Sequence, residues 1–105
     1  MKKSKVPTYH DDLMKRLKDP AYAGAYLSAT LEDDDKRVFL LALRDVAEAQ
    51  GGMTKLAKIT KVSREHIYRM LSKKGNPELQ TLKSLLDALG LKISIESKDR
   101  NKKAA

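Results

Sequence analysis

The 105-residue chain contains no cysteine and no tryptophan. No disulfide framework, thiolate zinc site, iron–sulfur cluster or cysteine nucleophile can be built from it, which excludes thiol-based redox chemistry. Aromatic residues make up only 5%, one Phe and four Tyr, so the core has to be aliphatic. With 41% hydrophobic and 34% charged residues that core is also small, and either marginal stability or stabilisation by a second copy of the chain is expected. No apolar run approaches the roughly 18 to 20 residues of a membrane span. The opening, Met1 to Pro7, has no apolar signal-peptide core. A cytoplasmic protein with no membrane partner is therefore expected.

What the chain does have is positive charge, 22 Lys plus Arg against 14 Asp plus Glu, for a formal net charge of +8. Its distribution is more informative than its total. Residues 1–8 carry +3, residues 9–50 carry −3, residues 51–76 carry +6, residues 77–97 carry −1 and residues 98–105 carry +3. The internal block comprises Lys55, Lys58, Lys61, Arg64, Arg69, Lys73 and Lys74 against the lone acid Glu65. A folded cluster of one sign repels itself, and a polyanion relieves that repulsion. Basic tails need serve only solubility.

Periodicity divides the chain into a flexible basic arm over 1–9, one helical domain over 10–97 and a disordered basic tail over 98–105. Within the domain, 10–35 reads as N-terminal helices. Asp11 and Asp12 precede Leu13, Met14 and Leu17, and Asp19 caps a helix that has Pro20 in its first position and reaches about Glu32. Residues 36–90 read as the core. Asp33, Asp34 and Asp35 cap a helix from Lys36 to Gln50 that is apolar almost all round and belongs at the centre, ended by Gly51 and Gly52. Short helices follow over Thr54 to about Thr60 and Ser63 to about Ser72, then a turn at Gly75-Asn76-Pro77. A leucine-striped helix, Leu79 to Leu89, is stopped by Gly90. Residues 91–97 alternate apolar and polar, which predicts a strand. Alone in an otherwise all-α chain, it would pair with its own copy across a two-fold axis, making Leu91, Ile93 and Ile95 dimerisation residues of a homodimer.

Met53 to Met70 has the spacing of a helix-turn-helix: Leu56, Val62, Ile67 and Met70 are its apolar positions, and Ala57 is the small residue where the helices touch. The turn commonly holds glycine, because its backbone favours positive φ. This chain has Lys61, at an expected cost of up to about 1 kcal/mol. With Ser63 as N-cap, steps of about 100° turn Ile67, Met70 and Leu71 inward and leave Arg64, Glu65, Tyr68 and Arg69 outward. Arg64 and Arg69 can donate bidentate pairs to guanine, Glu65 can accept from cytosine, and Tyr68 can touch a thymine methyl or a phosphate. Thr54, Lys55, Lys73, Lys74 and Asn76 lie at helix ends suited to phosphate. The alternative is an ordinary surface pair of Glu65 with Arg69 among solvated lysines.

Other chemistry is not visible. His10 and His66 lack companion metal ligands at a usable spacing, so no metal and no cofactor are expected. His66 is expected beside the helix-turn-helix core or on a phosphate. The aspartate runs are explained by helix capping, and neither a phosphate loop nor a serine–histidine–acid set is present. No enzymatic activity is assigned. Tyr22 and Tyr26, one helical turn apart, belong to packing or a partner surface.

Four stretches together resemble a known family: Gly51-Gly52-Met53-Thr54-Lys55-Leu56-Ala57, Ser63 to Arg69, Lys74-Gly75-Asn76-Pro77 with Thr81-Leu82, and Leu86 to Leu91. They are similar to the addiction-module antidote proteins, antitoxins of the Hig type in the Xre/lambda-repressor-like helix-turn-helix superfamily. The resemblance spans about residues 10–97. It implies a lambda-repressor-like bundle, a dimer that binds operator DNA in its own promoter, and a toxin partner of the RelE/Hig type, commonly an mRNA-cleaving ribonuclease. Such a toxin is typically basic, and the acids of residues 9–50 offer it a surface. A stand-alone Xre-family or prophage regulator without a toxin is the alternative.

Overall fold

The computed structural model describes residues 9–98. Its elements, in order, are α1 (Tyr9–Arg16), α2 (Pro20–Thr30), α3 (Lys36–Ala49), α4 (Gly52–Thr60), α5 (Arg64–Met70) and α6 (Leu79–Ala88). Local chemistry sets most boundaries. Asp19 Oδ1 accepts from the Ala21 amide (3.0 Å) ahead of Pro20, and Asp35 Oδ1 accepts from the Arg37 amide (3.0 Å). The α4 start precedes the expected Thr54 by two residues, because Gly51 at φ 122° lets the chain reverse straight out of α3.

The centre is α3. Its fourteen residues bury Phe39, Leu40, Ala42, Leu43, Val46, Ala47 and Ala49, as its nearly all-round apolar sequence predicts. Helices α1, α2 and α4 pack against it, and α4 in turn packs against α5 and α6. Leu13 and Leu17 anchor α1, Ala23 and Leu27 anchor α2, and Leu85, Leu86 and Leu89 close the far side. Two polar links tie these layers: Tyr26 Oη donates to Asp45 Oδ2 (3.3 Å), and Gln50 Nε2 donates to the Leu17 carbonyl (3.3 Å). Burial, and next the charge of Asp45, push the Tyr26 phenol up from its ordinary value. Gly75 is buried after α5, where a Cβ would run into the Met70 carbonyl, so the tight exit toward Pro77 requires glycine.

The expected C-terminal strand is not there. The all-α class stands, but the described residues contain no strand, and 91–97 form no regular element. The physical reason is that alternation is not sufficient for a ladder, and the described residues hold no second strand to accept one. The segment is used otherwise. After Gly90 at φ 79°, the Leu91 amide donates to the Leu86 carbonyl (2.8 Å) and closes the end of α6. Leu91 then packs against the core beside Gly24, while Ile93 and Ile95 are 43% and 93% exposed. Leu91, Ile93 and Ile95, expected as dimerisation residues on that strand, thus do not lie on a strand. The arm and tail expectations fall on residues 1–8 and 99–105, outside the described residues; Tyr9, placed in the arm, opens α1.

Candidate nucleic-acid interface

Helices α4 and α5 pack on each other across the three-residue turn 61–63. Lys61 holds φ 62° and ψ 25°, so the left-handed turn conformation is kept although the residue is not glycine. The Lys61 amide donates to the Ala57 carbonyl (2.8 Å), ending α4. Ser63 then caps α5, its Oγ accepting from the His66 amide (3.1 Å). That phase decides what α5 presents. Ile67, Met70 and Leu71 are buried, and Arg64, Glu65, Tyr68 and Arg69 face solvent. Thr54, Lys55, Ser63, Lys73, Lys74 and Asn76 are exposed as well.

Several of these side chains are already organised. The Arg64 guanidinium donates to Thr54 Oγ1 (3.1 Å), joining the first turn of α5 to α4. Arg69 does not pair with Glu65 as an i,i+4 surface pair would. Its NH2 donates instead to His66 Nδ1 (3.2 Å), which leaves the Glu65 carboxylate without an ion pair among the described residues. His66 is therefore an exposed partner of Arg69 rather than a core residue. Glu65 thus sets one carboxylate acceptor beside the guanidinium donors of Arg64 and Arg69 on the exposed face of α5.

Two contacts were not legible in the sequence. Arg44, from α3, places its guanidinium 5.5 Å from the centroid of the Tyr68 ring and holds that ring by a cation–π contact. Lys36 Nζ donates to Asn76 Oδ1 (3.2 Å), fixing the loop after α5 to the start of α3. Both partners come from residues 9–50, the net acidic part of the chain, which a count by segment keeps apart from residues 51–76. No group of three or more His, Asp or Glu able to hold a metal occurs among the described residues. Nor is any helix there long and apolar enough to cross a membrane.

Residues 8–97 match a family model whose description reads "Probable addiction module antidote protein". The chain belongs to this family. An uncharacterized protein of Haemophilus influenzae is 32% identical over 85 residues, covering 81% of this chain and 87% of its own. No solved structure matches the chain. As an addiction-module antidote it has an antitoxin role, with a toxin for its partner.

The acids of the antidote's N-terminal half divide by what they touch. Asp19 and Asp35 cap helices, Asp33 Oδ1 accepts from the Asp35 amide (2.8 Å), and Asp12 pairs with Arg16 (2.9 Å). Hydrogen bonds from the Arg37 side chain, and next its backbone amide, bring the Asp35 carboxyl down to about 2. Glu32 and Asp34 cap nothing: both are exposed, and neither side chain has a hydrogen bond or ion pair among the described residues.

Proposed function

We propose that this antidote represses its own module by binding operator DNA through α4 and α5, arranged as a helix-turn-helix, while its N-terminal half neutralises a RelE-like ribonuclease toxin. The observation that carries the DNA half is the exposed row Arg64, Glu65, Tyr68 and Arg69, seated on the buried Ile67, Met70 and Leu71 within the +6 segment. Helix α5 enters the major groove and reads bases with that row. Lys55, Lys73, Lys74 and Asn76 contact phosphates on either side, as do Thr54 and Ser63 at the helix ends. Arg44 acts by holding the Tyr68 ring at the groove wall. Two copies of the chain act together, placing two α5 helices about one DNA turn apart on a two-fold operator. Antidote-family membership favours this over a stand-alone regulator. The molecule works by binding rather than catalysis.

The test is the double substitution Arg64→Ala/Arg69→Ala, measured by fluorescence anisotropy on a duplex carrying the promoter upstream of its own gene. Each bidentate pair discriminates by about 1–3 kcal/mol, so the pair of substitutions should weaken binding at least about 30-fold. Wild-type binding should fall steeply with salt. Unchanged affinity of the double variant, with its helicity intact, would overturn the assignment of α5. Deleting the N-terminal helices is no substitute as a test of the toxin half, because Leu13, Leu17, Ala23 and Leu27 belong to the core.

A further inference from the structure

An apolar feature that the proposed function does not use lies away from α4 and α5. A groove of about 350 Å³ runs between the end of α2, Phe39 of α3, α6 and the segment that follows it. Its walls are Leu31, Phe39, Leu82, Leu86, Leu91 and Ile93, of which Leu31 is 63% and Ile93 43% exposed. A second hollow of about 300 Å³ shares Leu31, Phe39 and Leu82 with it, and ends against Asp33 and Asp34. The two adjoin along these shared residues, and the channel they make is mainly apolar, with Asp33, Asp34, Lys36 and Asn76 at the end where α2 gives way to α3. Lys92 stands at the other end, and Lys36, beside the acids, is engaged by Asn76.

Exposed leucine and isoleucine around a hollow this deep lose free energy to water, and contiguous apolar patches of this kind mark interaction surfaces. The acids at the mouth specify the charge of what enters. Glu32 and Asp34 have no cation of their own, and Asp33 spends one oxygen on a backbone amide. Capping does not account for these carboxylates, although it accounts for Asp19 and Asp35. A protruding apolar side chain with cationic neighbours fills the hollow and answers the acids.

We propose that this channel is the toxin-docking surface of the antidote, and that its occupant is a basic amphipathic segment of the toxin. An aliphatic or aromatic side chain of that segment enters between Leu31, Phe39 and Leu82, and its Lys or Arg neighbours meet Glu32, Asp33 and Asp34. This rests on the toxin half of the proposed function and adds the surface and the chemistry of the contact. The wall residues are drawn from α2, α3, α6 and the segment after it, with none from α4 or α5. Apart from Asn76, which borders the second hollow, toxin and operator thus use different side chains.

The experiment uses the full chain and the purified product of the adjacent gene, with affinity read by titration calorimetry and self-association by sedimentation. Two variants probe the two halves of the channel: Leu31→Gln/Ile93→Gln, both exposed positions, and Asp33→Lys/Asp34→Lys. Each should weaken toxin binding by at least about 30-fold, the effect of losing a central contact or reversing a complementary charge. Helicity should match wild type in both variants, and promoter affinity should match it in the uncharged pair Leu31→Gln/Ile93→Gln. Charge reversal should also remove most of the salt dependence of toxin binding. If both variants bind toxin as wild type does, the channel is overturned as the docking site while toxin neutralisation stands. If wild type itself fails to bind the adjacent product, the toxin reading fails and the proposal with it. If the variants lose self-association at unchanged toxin affinity, the channel is a face between copies, which also overturns the proposal.

Discussion

Lys61 is the residue at which sequence and backbone disagree most openly. Its αL conformation is set by the turn between α4 and α5, and a Cβ there is crowded against the following carbonyl at about 1 kcal/mol. Glycine would remove that strain and give back part of the gain through a more flexible unfolded chain. Lys61→Gly should therefore raise stability by about 0.5–1 kcal/mol, read as a higher midpoint in urea at unchanged slope. The strain was legible from the spacing alone, because Ala57, Ser63 and Ile67 fix where the turn must fall. The roles of Arg44 and Lys36 were not. Each reaches a residue far along the chain, Tyr68 and Asn76, and such contacts follow from the packing of α3 rather than from any local pattern.

At the scale of elements, helix starts were readable because a cap is local chemistry. Asp19, Asp35 and Ser63 all accept from backbone amides two or three residues on, as their sequence contexts imply. The 91–97 segment was misread because a strand belongs to two segments at once, and alternation in one says nothing of the other. The Asp35 cap has a pH signature. Its carboxyl, lowered by Arg37 to about 2 from an unfolded value near 4, stabilises α3 fully above about pH 4. That contribution is lost as pH falls through about 2. Asp35→Asn removes it, so thermal melts should show wild type above the variant at pH 6, with the two converging between pH 4 and pH 2.

For the whole molecule, the net charge of +8 conceals two surfaces of opposite character, a division that segment counting could find. It could not find that the acids near α2 and α3 border an apolar channel, since the channel needs Leu82, Leu86 and Ile93 from the other end of the chain. Nor could it show that the N-terminal helices are core rather than appendage, because Leu13 and Leu17 become central only once α1 lies on α3. The order of that packing has a kinetic consequence. Each main helix contact joins elements adjacent or next but one in the chain: α1 with α3, α2 with α3, α3 with α4, α4 with α5, and α4 with α6. Chains whose contacts are this local close only short loops on the way to the transition state and fold in about microseconds to milliseconds. Stopped-flow refolding should show a dominant phase complete within about 10 ms. An antidote that folds this quickly is ready to bind almost as soon as its last helix is made, so little time separates its synthesis from protection.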